Sequence, residues 1–197
     1  MNVGSLLSIT SCTFFAFVTG VSAQVPARHK GIWASLGVGP GWGNATCDNC
    51  TGGSSLSGTA GRASIGWAFN PFLRVGAAID GWFHQASGAR EFMADATVSV
   101  SYYPFSYSEL SNGLFFWGAL GAARYNGNLP SPVRGNGPAR EIGVGYDLRL
   151  HGSLSLTPQL SYAKGNIGDL TLENTGGLLA TGWSQTVVLL TLGVTLR

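Results

Sequence analysis

Arg62, Arg74, Asp80, Glu91, Asp95, Glu141, Asp147 and Arg149 fall at alternate positions of extended segments, on the side shared with Gly, Ser and Thr. Arg124 joins them on the same assignment, in a segment whose register the sequence leaves open. Both signs of charge are present. In the narrow interior of a closed sheet such groups must pair, because a buried charge without a partner is costly. The chemistry on offer is a salt-bridge plug. The alternative is a gate, or a path for protons or ions, made by pairs that rearrange. Spacing alone does not give the pairings.

Two other groupings could do chemistry. Cys47 and Cys50 form a C-x-x-C, and in an exported chain an even cysteine count suits one disulfide. A metal site would need two more ligands, with His84 or Asp48 the nearby candidates, and a redox centre would need a helix N-terminus. The disulfide is the expected reading, with no metal and no cofactor. His84, Ser87 and Glu91 are the residues a hydrolase triad would have to use. A polar loop yields such a triplet by chance, so no catalytic residue and no enzyme activity are expected. His29 and His151 stand alone.

The elements that would hold these groups are strands. In 92–102, Phe92, Ala94, Ala96, Val98, Val100 and Tyr102 share one face, and Met93, Asp95, Thr97, Ser99 and Ser101 share the other. The pattern recurs in 31–42, 57–69, 72–83, 140–150, 153–162 and 183–196. It also covers 114–125, where Phe115-Phe116-Trp117 blurs the faces. Each segment runs about 10–14 residues, enough for a tilted strand to cross a bilayer, and none approaches the ~20 apolar residues of a spanning helix. The connections are expected to alternate: long at 43–56, 126–139 and 163–182, medium at 84–91 and 104–113, short at 70–71 and 151–152.

Composition decides which face meets what. Only 10% of residues are charged while 45% are hydrophobic. That is too little charge to wet the outside of a soluble sheet, but it suits a sheet with lipid outside and small polar groups inside. The runner-up is a soluble lipocalin-like barrel or β-sandwich with the faces inverted. Aromatic residues cluster at both strand ends and predict two interfacial belts. One belt draws on Trp33, Trp67, Phe69, Phe72, Tyr102, Tyr103, Phe105, Phe115, Phe116 and Trp117; the other on Trp42, Trp82, Phe83, Phe92, Tyr125, Tyr162 and Trp183. Residues 1–23 read as a secretory signal ending Val21-Ser22-Ala23, an N-terminal membrane anchor being the alternative. Residues 24–30 follow as a short periplasmic segment and 31–197 as the barrel. A net charge of +2 gives no reason to expect a nucleic-acid partner.

With this signal, strand rhythm and loop asymmetry, the chain resembles the small outer-membrane β-barrel proteins of the OmpA/OmpX type over 31–197. The resemblance implies an all-β, eight-stranded, up-and-down antiparallel transmembrane barrel, monomeric, in the outer membrane of a Gram-negative-type cell. Its implied partners are outer-membrane lipids, lipopolysaccharide and the assembly machinery. Such barrels usually end in an aromatic residue, where this chain reads Val194-Thr195-Leu196-Arg197. The expected role is non-enzymatic: structural, surface interaction or a narrow channel. The alternatives are a rim-located lipid-modifying enzyme of the deacylase kind and a soluble periplasmic binder.

Overall fold

Alternation of small polar and large apolar residues extends each strand until its inward face has nothing left to cover. The computed structural model describes residues 30–50, 55–86, 88–106, 112–128 and 131–197. The expected export signal at 1–23 lies outside the described residues, as does all of 24–30 but Lys30. The strands are β1 (Gly31–Thr46), β2 (Leu56–Ala68), β3 (Leu73–Ala86), β4 (Ala89–Tyr102) and β5 (Leu114–Asn128). They continue with β6 (Pro132–Tyr146), β7 (Leu148–His151), β8 (Leu154–Leu172) and β9 (Leu178–Leu196). β6 and β7 are successive parts of one stave, parted at Asp147, so the wall has eight staves. Each pairs antiparallel with its chain neighbour, and β9 returns to β1 to close the barrel.

The register fixes the barrel's dimensions. Following directly paired residues from Ala34 through Ile65, Ala77, Val98, Leu120, Arg140, Lys164 and Thr186 returns to β1 at Asn44, ten residues further on. Eight strands with that stagger tilt by about 35–45° and leave an interior just wide enough for side chains. The ladder between β6 and β8 is interrupted between Arg134 and Ala139. Pro138, which has no N–H to donate, falls in that gap.

The outside is apolar around the waist. Ile32, Leu36 and Val38 of β1, Ile79 of β3, Val98 of β4, Leu120 of β5, Ile142 of β6 and Leu192 of β9 are all more than half exposed. A soluble protein does not present such a band, and a lipid-facing wall requires one. The expected belts are only partly there. Trp67, Phe69, Tyr102, Phe105 and Phe116 point outward at one end, and Trp42, Phe83, Phe92 and Tyr162 at the other. Trp33, Tyr103, Phe115, Trp117, Trp82 and Tyr125 instead turn inward and are buried, and Trp183 is partly buried against the same interior cluster. Rings at strand ends serve two purposes, and parity rather than position decides which.

The expected loop alternation is corrected as well. Most of 163–182 is strand, because Ala163, Gly165 and Ile167 keep alternating inward and, past a shift of register at Gly168, Leu170 turns inward again. The 84–91 connection is a tight hairpin between Ala86 and Ala89, and the ends of β5 and β6 absorb most of 126–139. The longest connection, between Tyr102 and Leu114, lies at the end that holds residues 31 and 196, called here the proximal end.

Candidate functional site

Inward positions from all the staves converge on a filled lumen with three tiers. At the proximal end Asp147 occupies the break between β6 and β7, where both carboxylate oxygens are free to gather donors. Tyr103 donates to its Oδ2 at 2.8 Å, Arg74 of β3 donates at 3.2 Å, and Arg197, just past β9, ion-pairs with the same oxygen. Thr157 of β8 donates to Oδ1 at 2.8 Å. The Thr157 hydroxyl accepts from Thr195 at 2.8 Å, and the Thr195 and Ser35 hydroxyls lie 3.0 Å apart, so the chain of contacts crosses from β8 through β9 to β1. The Arg74 guanidinium lies 4.1 Å from the Tyr103 ring centre, and Tyr103 stacks on Phe115 at 4.9 Å. Arg149 is half-buried on the same rim, opposite the inward-facing Ser155.

In the middle tier Arg62 of β2 bridges its neighbouring strand β3 and the distant strand β6. Its Nη1 donates to Asp80 Oδ1 at 2.7 Å and to both oxygens of Glu141 at 3.0 Å. Its guanidinium lies 3.7 Å from the Trp117 ring centre, a cation–π contact in a desolvated setting. Asp95 faces Asp80 directly across the β3–β4 ladder. One oxygen of each carboxylate meets no hydrogen-bond partner among the described residues. Between these two tiers lies a cavity of about 30 Å³, lined by Ser35, Ser64, Ser99, Ser101 and Gln159 among others. That is room for about one water.

The distal tier is apolar. Trp82, Met93, Tyr125, Ile167, Leu170, Val187 and Leu189 form one buried cluster. Glycines make the room: a Cβ on Gly41 or Gly43 would come within 2.7 Å of the Trp82 indole. At the distal mouth Glu91 is buried and hydrogen-bonded to Tyr125. The Cys47–Cys50 disulfide lies just past β1 there, with Cα atoms 5.2 Å apart, and the Asp48 N–H donates to the Thr181 carbonyl at 3.0 Å.

Of the residues expected inside, Arg62, Asp80 and Glu141 come together, Arg74 and Asp147 come together, and Glu91, Asp95 and Arg149 sit apart from both clusters' bonds. Arg124 does not enter the lumen: Ala123 and Tyr125 point in, so Arg124 points out. Phe115 and Trp117 settled that register, because Gly143 and Gly145 across the lumen-facing ladder leave space for their rings. Sequence reading missed Tyr103, Thr157, Thr195 and Arg197. Parity held the signal, since Tyr103 continues Asp95, Thr97, Ser99 and Ser101 by one more step, as Arg197 continues Gly193 and Thr195. Of the hydrolase triplet, Ser87 lies outside the described residues. His84 stacks on Trp82 and contacts the Ser57 carbonyl at 2.6 Å.

No family model matches the sequence, and no curated protein matches it significantly. Solved structures do match. Neisserial surface protein A aligns at 16% identity over 87% of this chain and 99% of its own, with a TM-score of 0.60. Ail, the attachment invasion locus protein of Yersinia pestis, solved in complex with the heparin analogue sucrose octasulfate, aligns at 11% identity over 84% of this chain and 99% of its own, with a TM-score of 0.53. At these identities the likeness is one of fold: this chain shares the closed eight-stranded β-barrel of those proteins.

Proposed function

We propose that this barrel is a closed, non-enzymatic scaffold of the outer membrane that holds its distal hairpins at the cell surface. The observation that carries the reading is the occluded lumen: an ion-paired proximal half and an apolar distal half leave a cavity of about 30 Å³ between them, and a larger space of about 190 Å³ opens at the proximal mouth beside Lys30 and Arg197. A porin needs about sixteen strands to leave an aqueous channel. The narrow-channel role therefore loses ground to the surface role. β8 runs ten residues past the outward Tyr162 and lifts the β8–β9 turn clear of the apolar band, and the Asp48–Thr181 bond ties the disulfide loop to β9 there. In this reading the proximal end, with both termini, is periplasmic, and folding relies on the outer-membrane assembly machinery of the host. The barrel works as a monomer, because closure leaves no free sheet edge.

Cysteine labelling in whole cells tests it. Asn174→Cys, in the exposed distal turn, is expected to react with a membrane-impermeant maleimide in intact cells. Ser153→Cys, in the exposed proximal turn, is expected to react only after the outer membrane is permeabilised. The opposite pattern, or labelling of a soluble periplasmic protein at both sites, would overturn the reading.

A further inference from the structure

Among the described residues the ion pairs join inward groups, and four outward cations on one side of the wall have no anionic partner, Arg124 meeting only the Asn126 side chain at 3.3 Å. Arg124 of β5, Arg134 and Arg140 of β6 and Lys164 of β8 all occupy outward positions, each flanked in its strand by residues that point inward. Arg140 stands directly opposite Lys164 on one side and Leu120 on the other. Arg124 pairs with Asn136, which lies between Arg134 and Arg140 along β6. The cations thus form one patch three strands wide. On the opposite wall, the outward positions of β1 run Ile32, Ala34, Leu36, Val38, Pro40, Trp42 and Asn44, with no charge.

The patch meets the apolar band. Two residues below Arg140 is Ile142, 65% exposed, and directly beside Arg140 is Leu120, 71% exposed. Two residues below Lys164 is the outward Tyr162. Among the described residues the ion pairs all lie inside the lumen, and none involves these four. Like charges directly opposite on a ladder repel. A cation on the lipid face costs about 2–4 kcal/mol at mid-membrane and about 0–1 near the interface. Long side chains escape that cost by carrying their heads to the headgroup layer, where a guanidinium meets a phosphate through two parallel hydrogen bonds. One class of ligand satisfies all four: clustered phosphates at the depth of a leaflet's headgroups.

We propose that Arg124, Arg134, Arg140 and Lys164 form a binding site for a phosphorylated lipid of the distal leaflet, held against one side of the barrel. The proposal rests on the membrane reading above for which leaflet that is, but not for the chemistry. Native mass spectrometry of the folded protein in detergent, titrated with bis-phosphorylated lipid A, tests it. The wild type is expected to bind lipid A at least tenfold more tightly than its dephosphorylated form. Arg140→Gln with Lys164→Gln is expected to lose at least tenfold of that binding while keeping the gel mobility of the folded barrel. Arg124→Gln with Arg134→Gln gives a second, independent loss should the first pair fail to fold. Equal binding of phosphorylated and dephosphorylated lipid, or unchanged binding in the folded variants, would overturn the proposal. So would displacement of the lipid by millimolar inorganic phosphate, which would show an anion site rather than a lipid site. The cysteine labelling fails or succeeds separately: a reversed orientation would leave the phosphate preference readable and assign it to the other leaflet.

Discussion

In the proximal half of the lumen Asp147 gathers Arg74, Arg197, Tyr103 and Thr157; in the distal half Trp82, Met93, Tyr125, Ile167 and Leu170 meet one another and a wall of glycine. Both halves exclude water, by different physics. The polar half works only if each partner is present, since losing one leaves another charged and buried. The apolar half works by volume, and its cost of damage follows the size of the hole left behind. A barrel that needed only to be filled could use either. Using both puts directional bonds where the chain closes on itself, at β9 and the β6–β7 break, and adaptable packing where the hairpins project.

Breaking either half should have the largest effects. Asp147→Ala strands two largely buried guanidiniums, each about 12% exposed, and we expect about 3 kcal/mol of lost stability, read as a lowered urea midpoint in detergent micelles. Trp82→Ala is expected to cost as much, about 3 kcal/mol, the low end for a Trp truncation because the glycine-lined strands can partly collapse. The two sites share no partner, so in the double variant the costs should add to within about 0.5 kcal/mol. A larger departure would show that the halves are one unit. The smallest effect should be of opposite sign. Asp95→Asn removes a like charge facing Asp80 and is expected to add at most about 1 kcal/mol of stability, read as a higher urea midpoint. A destabilisation there would mean that Asp95 has a partner the wall alone does not reveal.

The faces of most strands were legible in the sequence, because a period of two with Val, Ile and Leu against Gly, Ser and Thr has one good solution in a membrane. Less legible was anything set by the stagger of the whole barrel. Arg62 and Glu141 are 79 residues apart, and only the closed register brings them together. Aromatic residues misled for a physical reason: Trp42 and Trp82 are both near distal strand ends, yet one faces lipid and the other fills the lumen. Three consecutive rings at Phe115-Phe116-Trp117 hid the parity of β5, and with it the outward aim of Arg124.

Ion conductance across a planar bilayer tests the filled lumen most directly. Protein whose gel mobility shifts on boiling, and which is therefore folded, should leave the membrane electrically silent at both polarities. Reproducible stepwise currents from that same preparation would contradict the account, because they would require a continuous aqueous path through the Arg62 bridge and the Trp82 cluster.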